Sequence, residues 1–215
     1  MDIGASHWAL ELVLQRDVLP VYSDFVFRLQ HNGLGFRYKY RWHTGEVNCV
    51  YDCATPETPY HLLWDCSRAK RLWLLFLPPF SRLFQSMIDW PQVLFLHQLR
   101  VPAHNQATFG SFTPVRLFNV VRSVILRTLW LNRNKAIFDP PALQFMGVFR
   151  QCLTLVRLHL QRLFKTMTHP RKKDNIRLKA QLIAFSNEWY HDFAEDPYYL
   201  LAGKKILKVF TVSST

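Results

Sequence analysis

A mainly α-helical chain, with a small Cys/His knuckle and a basic hairpin of two long helices, is predicted by three observations. The 215 residues include only seven glycines and are 49% hydrophobic, a composition that suits helices and supplies a core. Three of the four cysteines and one histidine stand in the spacing Cys49-x3-Cys53-x7-His61-x4-Cys66. Apolar residues recur at helical intervals through two long segments in the second half of the chain.

Taken in order, residues 5–17 predict a short helix with Ser6 as N-cap, broken by Asp17 to Pro20. A second helix is expected from Ser23 to the stop signal Asn32-Gly33. Phe36 to Trp42 alternates aromatic and basic residues and reads as a strand-like lead or a short helix. Such a mixture can stack bases while its cations meet phosphates, but an amphipathic segment buried on one side is the favoured role. Thr58-Pro59 forms an N-cap and N1 pair, with His61 on the first turn. Ser67 to Phe76 continues as a helix, with Leu72, Leu75 and Phe76 inside, and Pro78-Pro79 is expected to end it. A short helix over 81–88 and an element starting at Trp90-Pro91 follow. Residues 100–113 lack periodicity and contain Pro102, Asn105 and Gly110, which marks a subdomain boundary.

Beyond that boundary Thr113-Pro114 reads as N-cap and N1 of a helix reaching Phe138, with Phe118, Val121, Ile125 and Leu129 in register. Arg116, Arg127 and Arg133 fall away from the middle of that stripe. The next helix runs from Ala142 to Met167, with Phe145, Phe149, Cys152, Leu155 and Val156 inside and Arg150, Arg157, Arg162 and Lys165 on the polar side. Asp139-Pro140-Pro141 closes the hairpin. A final helix is expected from Asp174 to Phe193, then a strand-like end from Lys204. The expected organisation is a helical segment with the knuckle over 1–100, a linker over 101–113, a basic helical region over 114–195, and a tail over 196–215 read as disordered.

The knuckle spacing suits a single zinc ion. Zinc takes four ligands in tetrahedral geometry, and its first pair is commonly two to four residues apart, so that one tight turn presents both. Cys49, Cys53, His61 and Cys66 supply four protein ligands, which closes the site and makes the Zn²⁺ structural rather than hydrolytic. A disulfide framework and unliganded buried thiols are the competing explanations. The first is disfavoured by a chain start, Met1-Asp2-Ile3-Gly4-Ala5-Ser6, without a basic segment and long apolar run. Cys152, in an apolar stretch far away, is expected in the core.

The words around the ligands carry a resemblance. Glu57-Thr58-Pro59-Tyr60-His61-Leu62-Leu63-Trp64-Asp65-Cys66, then Ala69 and Leu72-Trp73, resembles the zinc-binding domain that follows the polymerase in non-LTR retrotransposon reverse transcriptases. The lead-in Leu19-Pro20-Val21 to Gly35 and the later Leu129-Trp130-Leu131-Asn132-Arg133-Asn134-Lys135 are similar to segments flanking that module, so the resemblance spans about residues 18 to 138. The family's first pair is more often Cys-x-x-Cys, whereas three residues intervene here. The resemblance implies a non-catalytic module working beside a polymerase encoded elsewhere and gripping RNA or DNA.

Charge and missing motifs bear on the same question. Residues 111–215 carry 17 basic and 6 acidic groups, against 10 and 9 in residues 1–110. A net of +11 in one half points to a polyanion, the RNA or DNA backbone, because each neutralised phosphate releases condensed counterions. Arg127, Arg133, Lys135, Arg171, Lys172 and Lys173 are the candidate phosphate contacts. No Tyr-x-Asp-Asp-like run is present to hold polymerase metals, nor a Gly-rich phosphate loop, a nucleophile elbow or a His-Glu-x-x-His run. The expectation is therefore no enzyme and no small-molecule substrate. No apolar run nears the roughly 20 residues of a membrane helix, and free thiols beside a zinc pattern argue for the nucleus or cytoplasm rather than secretion. A zinc-stabilised protein-interaction module and a decayed transposon fragment are the alternatives.

Overall fold

The computed structural model describes residues 14–40, 47–139 and 144–167, together with 180, 181, 183 and 184. Among the described residues the fold is helical, with no strand and one isolated antiparallel bridge between Asn48 and Pro56. Of the helix expected over 5–17 only the last four residues are described, where Gln15–Asp17 form a 3-10 turn; most of the one over 174–193, the basic loop and the tail lie outside the described residues.

Helix α1 (Pro20–Gln30) starts at a proline, whose missing N–H costs nothing at a first turn. It ends where Asn32 takes a left-handed φ of 57°. The Gly33 N–H returns to the Arg28 carbonyl at 2.6 Å and the Asn32 N–H to that of Leu29 at 3.2 Å. This is a Schellman stop built on asparagine rather than glycine. A 3-10 turn over Arg37–Tyr40 follows, and none of its residues is buried. The short-helix alternative thus describes its part of the aromatic-basic stretch: Phe36 ahead of the turn is fully buried and Tyr38 packs against the core, while Tyr40 is exposed and Arg41 and Trp42 lie outside the described residues.

Helix α2 (Ser67–Phe76) matches its expected span and buries Ala69, Leu72, Trp73 and Phe76. Pro78-Pro79 ends it as expected, and also opens α3 (Pro78–Phe84) from its first turn. Helix α4 (Trp90–Phe95) is opened by a capping box. The Gln92 N–H donates to Asp89 Oδ1 at 3.3 Å and the Asp89 N–H to Gln92 Oε1 at 2.6 Å. Replacing Asp89 by alanine removes this cap and should cost about 1 kcal/mol. A melting temperature about 2–4 °C lower, followed by circular dichroism, is the expected outcome for a chain of this size.

Residues 103–109 form helix α5 (Ala103–Phe109) inside the stretch expected to be a linker. None of its residues is buried, so no apolar periodicity announces it. Gly110 follows with φ 73°, and Gln181 packs so closely that a Cβ there would come within 2.8 Å of it.

Helix α6 (Thr113–Phe138) has the expected span. Its N-cap is not Thr113, however. That hydroxyl donates to Gln181 Oε1 at 3.0 Å instead. Helix α7 (Phe145–Met167) packs along α6 and completes the long-helix hairpin.

The division expected at 101–113 is not a division of the core. Helix α6 packs against α1, α2, α3, α7 and the segment His61–Asp65. A single buried cluster runs from Leu14 to Phe164. Phe118 meets Phe80 at 5.1 Å and Phe84 at 6.1 Å between ring centres, and Phe149 reaches Phe76 at 6.0 Å. Charge changes along the chain, but apolar burial does not respect that change.

Being enclosed on most sides, α6 must also bury polar groups, and each finds a partner. Arg122 is fully buried. It donates to the Val93 and Leu94 carbonyls at 2.9 and 2.8 Å and to Asn119 at 3.0 Å. Those carbonyls end α4, where the helix dipole favours a cation. Arg116 forms a two-pronged ion pair with Asp17, which is nearly inaccessible.

Candidate metal centre

The loop over residues 47–57 is folded back on itself. The Cys49 N–H donates to the Thr55 carbonyl at 2.9 Å and the Glu57 N–H to that of Val47 at 2.8 Å. Within this turn Asp52 and Ala54 both take left-handed φ values, 56° and 49°, on either side of Cys53. For alanine that conformation costs on the order of 1–3 kcal/mol and marks a geometry imposed by its surroundings.

His61 arrives on the next element. The Thr58 hydroxyl accepts the His61 N–H at 3.0 Å, the N-cap role expected of it. His61–Asp65 is then wound as a π-helix, closed by the Cys66 N–H donating to the His61 carbonyl at 2.6 Å. In an α-helix, residues five apart point about 140° away from one another. The wider turn brings His61 and Cys66 round to the same side. Trp73 secures this turn, its indole N–H donating to the Leu63 carbonyl at 2.7 Å.

These elements bring together all four expected ligands. One ligand atom from each of Cys49, Cys53, His61 and Cys66 lies within 4.8 Å of every other. Sulfur-to-metal bonds of about 2.3 Å in a tetrahedron separate two sulfurs by about 3.8 Å. The Cys53 and Cys66 sulfurs are 3.6 Å apart, and all four cysteines are free. His61 provides the test of fit. It is 5% exposed, and neither ring nitrogen has a hydrogen-bond partner. Its Nδ1 stands 3.8 Å from Asp65 Oδ2, too far for a hydrogen bond. Buried nitrogens are rarely left so, and a metal ion satisfies one of them.

The electrostatics point the same way. A hydrogen bond from Cys49 lowers the Cys66 thiol to about 5, helped against burial by the N–H groups of Arg68 and Ala69 at the start of α2. The same bond, then burial, holds the Cys49 proton on. Burial, followed by the bond to Cys66, raises Cys53. A metal ion ionises the coordinating thiols outright.

The surroundings tie this centre to the rest of the fold, in part through a residue that the sequence places on the surface. Arg133, a candidate phosphate contact, is 4% exposed. Its Nη2 lies 2.5 Å from Glu57 Oε1, and its Nε reaches both carboxylate oxygens at 3.0 and 3.1 Å. Glu57 is wholly buried and also accepts the Arg37 backbone N–H at 2.9 Å. Arg133 is therefore corrected from a surface contact to the bolt between α6 and the ligand loop. Asn132 adds a second tie to the Tyr51 hydroxyl at 2.9 Å. The signal for both was present in the chain, since Glu57 and Asn132-Arg133 belong to the two stretches that carry the family resemblance. What the sequence lacked was any sign that they meet.

Of the remaining candidates, Arg127 is half-buried over the Tyr22 ring at 4.9 Å, and Lys135 is exposed, 4.0 Å from Asp139. Arg171, Lys172 and Lys173 lie outside the described residues. Cys152 is in the core as expected, its thiol pushed up to about 12 by burial. Among the described residues no helix is long and apolar enough to cross a membrane.

Fold and site together define a helical protein with a Cys3His cluster able to hold a metal ion. Comparison with known proteins finds no family model, no curated protein and no solved structure that matches the chain.

Proposed function

We propose that the chain is a non-catalytic nucleic-acid-binding module of the kind that follows the polymerase in retrotransposon reverse transcriptases, with one structural zinc ion in its knuckle. The observation that carries the proposal is the Cys3His cluster at ligand distance around a buried, unpartnered His61. Three sulfurs and one imidazole suit zinc, and four protein ligands leave no position for a reacting water. The metal then holds the ligand loop to α2, while Glu57–Arg133 holds it to α6. Nucleic acid enters through charge, since the chain carries 27 basic against 15 acidic residues and phosphates are the partner such an excess attracts.

The test has two parts. Mass spectrometry of protein purified without added metal should find about one zinc per chain, and none in Cys49→Ser/Cys66→Ser. The unaltered protein should bind RNA or DNA at 50 mM salt and release most of it at 200 mM. A folded protein without zinc sinks the knuckle; absence of salt-sensitive binding sinks the nucleic-acid role.

A protein-binding surface is the alternative, favoured by one observation. An apolar recess of about 390 Å³ lies beside the knuckle, lined in part by Trp64, Trp73, Leu74 and Met87. Leu74 and Met87 are 65% and 91% exposed. Binding there would persist at high salt, because apolar burial does not depend on counterions.

A further inference from the structure

We infer that the outward face of α7 is the surface that follows a nucleic-acid backbone, and that a recess between Arg162 and Arg16 seats one phosphate at its C-terminal end. This rests on the nucleic-acid reading above and assigns it to a place.

Sequence charge alone spreads the candidates over the whole second half; the structure sorts them by what each cation already does. On α6, Arg116 is engaged by Asp17, Arg133 by Glu57 and Arg122 by the end of α4. Lys135 stands near Asp139, and Arg127 lies over Tyr22. None of these is well placed to give a full charge to a ligand.

Helix α7 differs. Its 23 residues include Arg150, Arg157, Arg162 and Lys165 and not one carboxylate. All four are exposed, and none has an acidic partner among the described residues. At 100° per residue, Arg150, Arg157 and Lys165 fall within an arc of about 80°, and the stripe they form is about 22 Å long. The opposite side is committed to the core through Phe149, Cys152, Val156 and Leu160. The cations therefore form a row on a rigid support.

Arg162 sits at the flank of that row and faces the chain before α1. With Gln15, Arg16, Val18, Pro20 and Ser23 it lines an open recess of about 580 Å³. Arg16 is exposed and likewise without an acidic partner among the described residues. The neighbouring Asp17 is buried and already held by Arg116, so it does not cancel the two guanidiniums. Two guanidinium forks around one cavity suit a phosphate, which each can grip through two N–H groups.

The test uses the full chain and the anisotropy of a labelled 20-nucleotide single-stranded RNA and a labelled 20-base-pair DNA duplex, from 50 to 200 mM KCl. Three phosphates along Arg150, Arg157 and Lys165 and one shared by Arg162 and Arg16 predict a slope of log K against log salt of about −2.8 for the single strand and about −3.6 for the duplex. Arg157→Gln/Lys165→Gln should make whichever slope is observed shallower by about 1.4 or 1.8 respectively, and Arg16→Gln/Arg162→Gln, which removes the one shared phosphate, by about 0.7 or 0.9. Arg82→Gln/Arg100→Gln removes equal charge from another surface and should leave the slope unchanged. Circular dichroism checks that each variant is folded. Equal losses in all three pairs would mean attraction by net charge, and would overturn the assignment to α7 while the nucleic-acid role stands. No binding by the unaltered chain, or binding only to an acidic protein, would overturn both.

Discussion

Replacing Arg133 by methionine is expected to lower the melting temperature by about 6–20 °C. The change leaves Glu57 wholly buried with its cation gone, and breaking a buried pair from one side costs about 3–5 kcal/mol. Each kcal/mol moves the midpoint of a chain of this size by about 2–4 °C. The companion Glu57→Gln/Arg133→Met removes both charges, and much of the loss should return, since the penalty lies in the orphaned carboxylate rather than in the missing attraction. Thermal melts of the parent, the single and the double variant decide it. A single variant melting within about 1 °C of the parent would mean that the pair is not buried in solution. Because Arg133 faces Glu57 and not solvent, any loss of nucleic-acid affinity in this variant should follow its loss of folded protein.

Withdrawing the proposed zinc ion is the other large expected effect. An ion that binds only the folded chain, at a free concentration a thousand times its Kd, adds about 4.1 kcal/mol, which for this length is about 8–16 °C. Dialysis against a strong chelator should therefore lower the midpoint by about that amount, and zinc in slight excess should restore it. Cys49→Ser/Cys66→Ser should melt like the chelated parent and ignore both treatments. A parent that melts identically with and without chelator would show that the four side chains are packed together for another reason. The structure gives the loss its origin: His61 would keep two buried nitrogens without partners, and Ala54 would hold a left-handed backbone with nothing in return.

Much of the fold was legible because local chemistry decided it. The long helices show in their apolar spacing, and Thr58 caps the ligand helix as its place before Pro59 indicates. The grouping of Cys49, Cys53, His61 and Cys66 was legible because their spacing is one that a tetrahedral metal site uses. The failures share a physical cause, which is that distance along the chain says little about enclosure. Arg133 looked outward on a helix assumed to have one buried side, whereas α6 is covered on most sides and its arginines turn to internal partners. Helix α5 was missed because a short element with no buried residue leaves no apolar rhythm to read. The boundary at 101–113 rests on missing periodicity and turn residues, and neither reports how apolar faces meet.

The π-turn between His61 and Cys66 has a consequence for how this chain can change. A π-turn is an α-turn with one residue added. Residues four apart on an ordinary α-helix already share a face, so a chain one residue shorter there could present histidine and cysteine without the wide turn. The extra residue therefore works as a shim: it keeps both ligands in phase while shifting everything downstream by one position. Substitutions among Leu62 to Asp65 alter what the shim touches, but an insertion or deletion would throw the ligands out of phase or force the turn to rewind. Length is the quantity that this geometry constrains across that stretch, and composition is secondary.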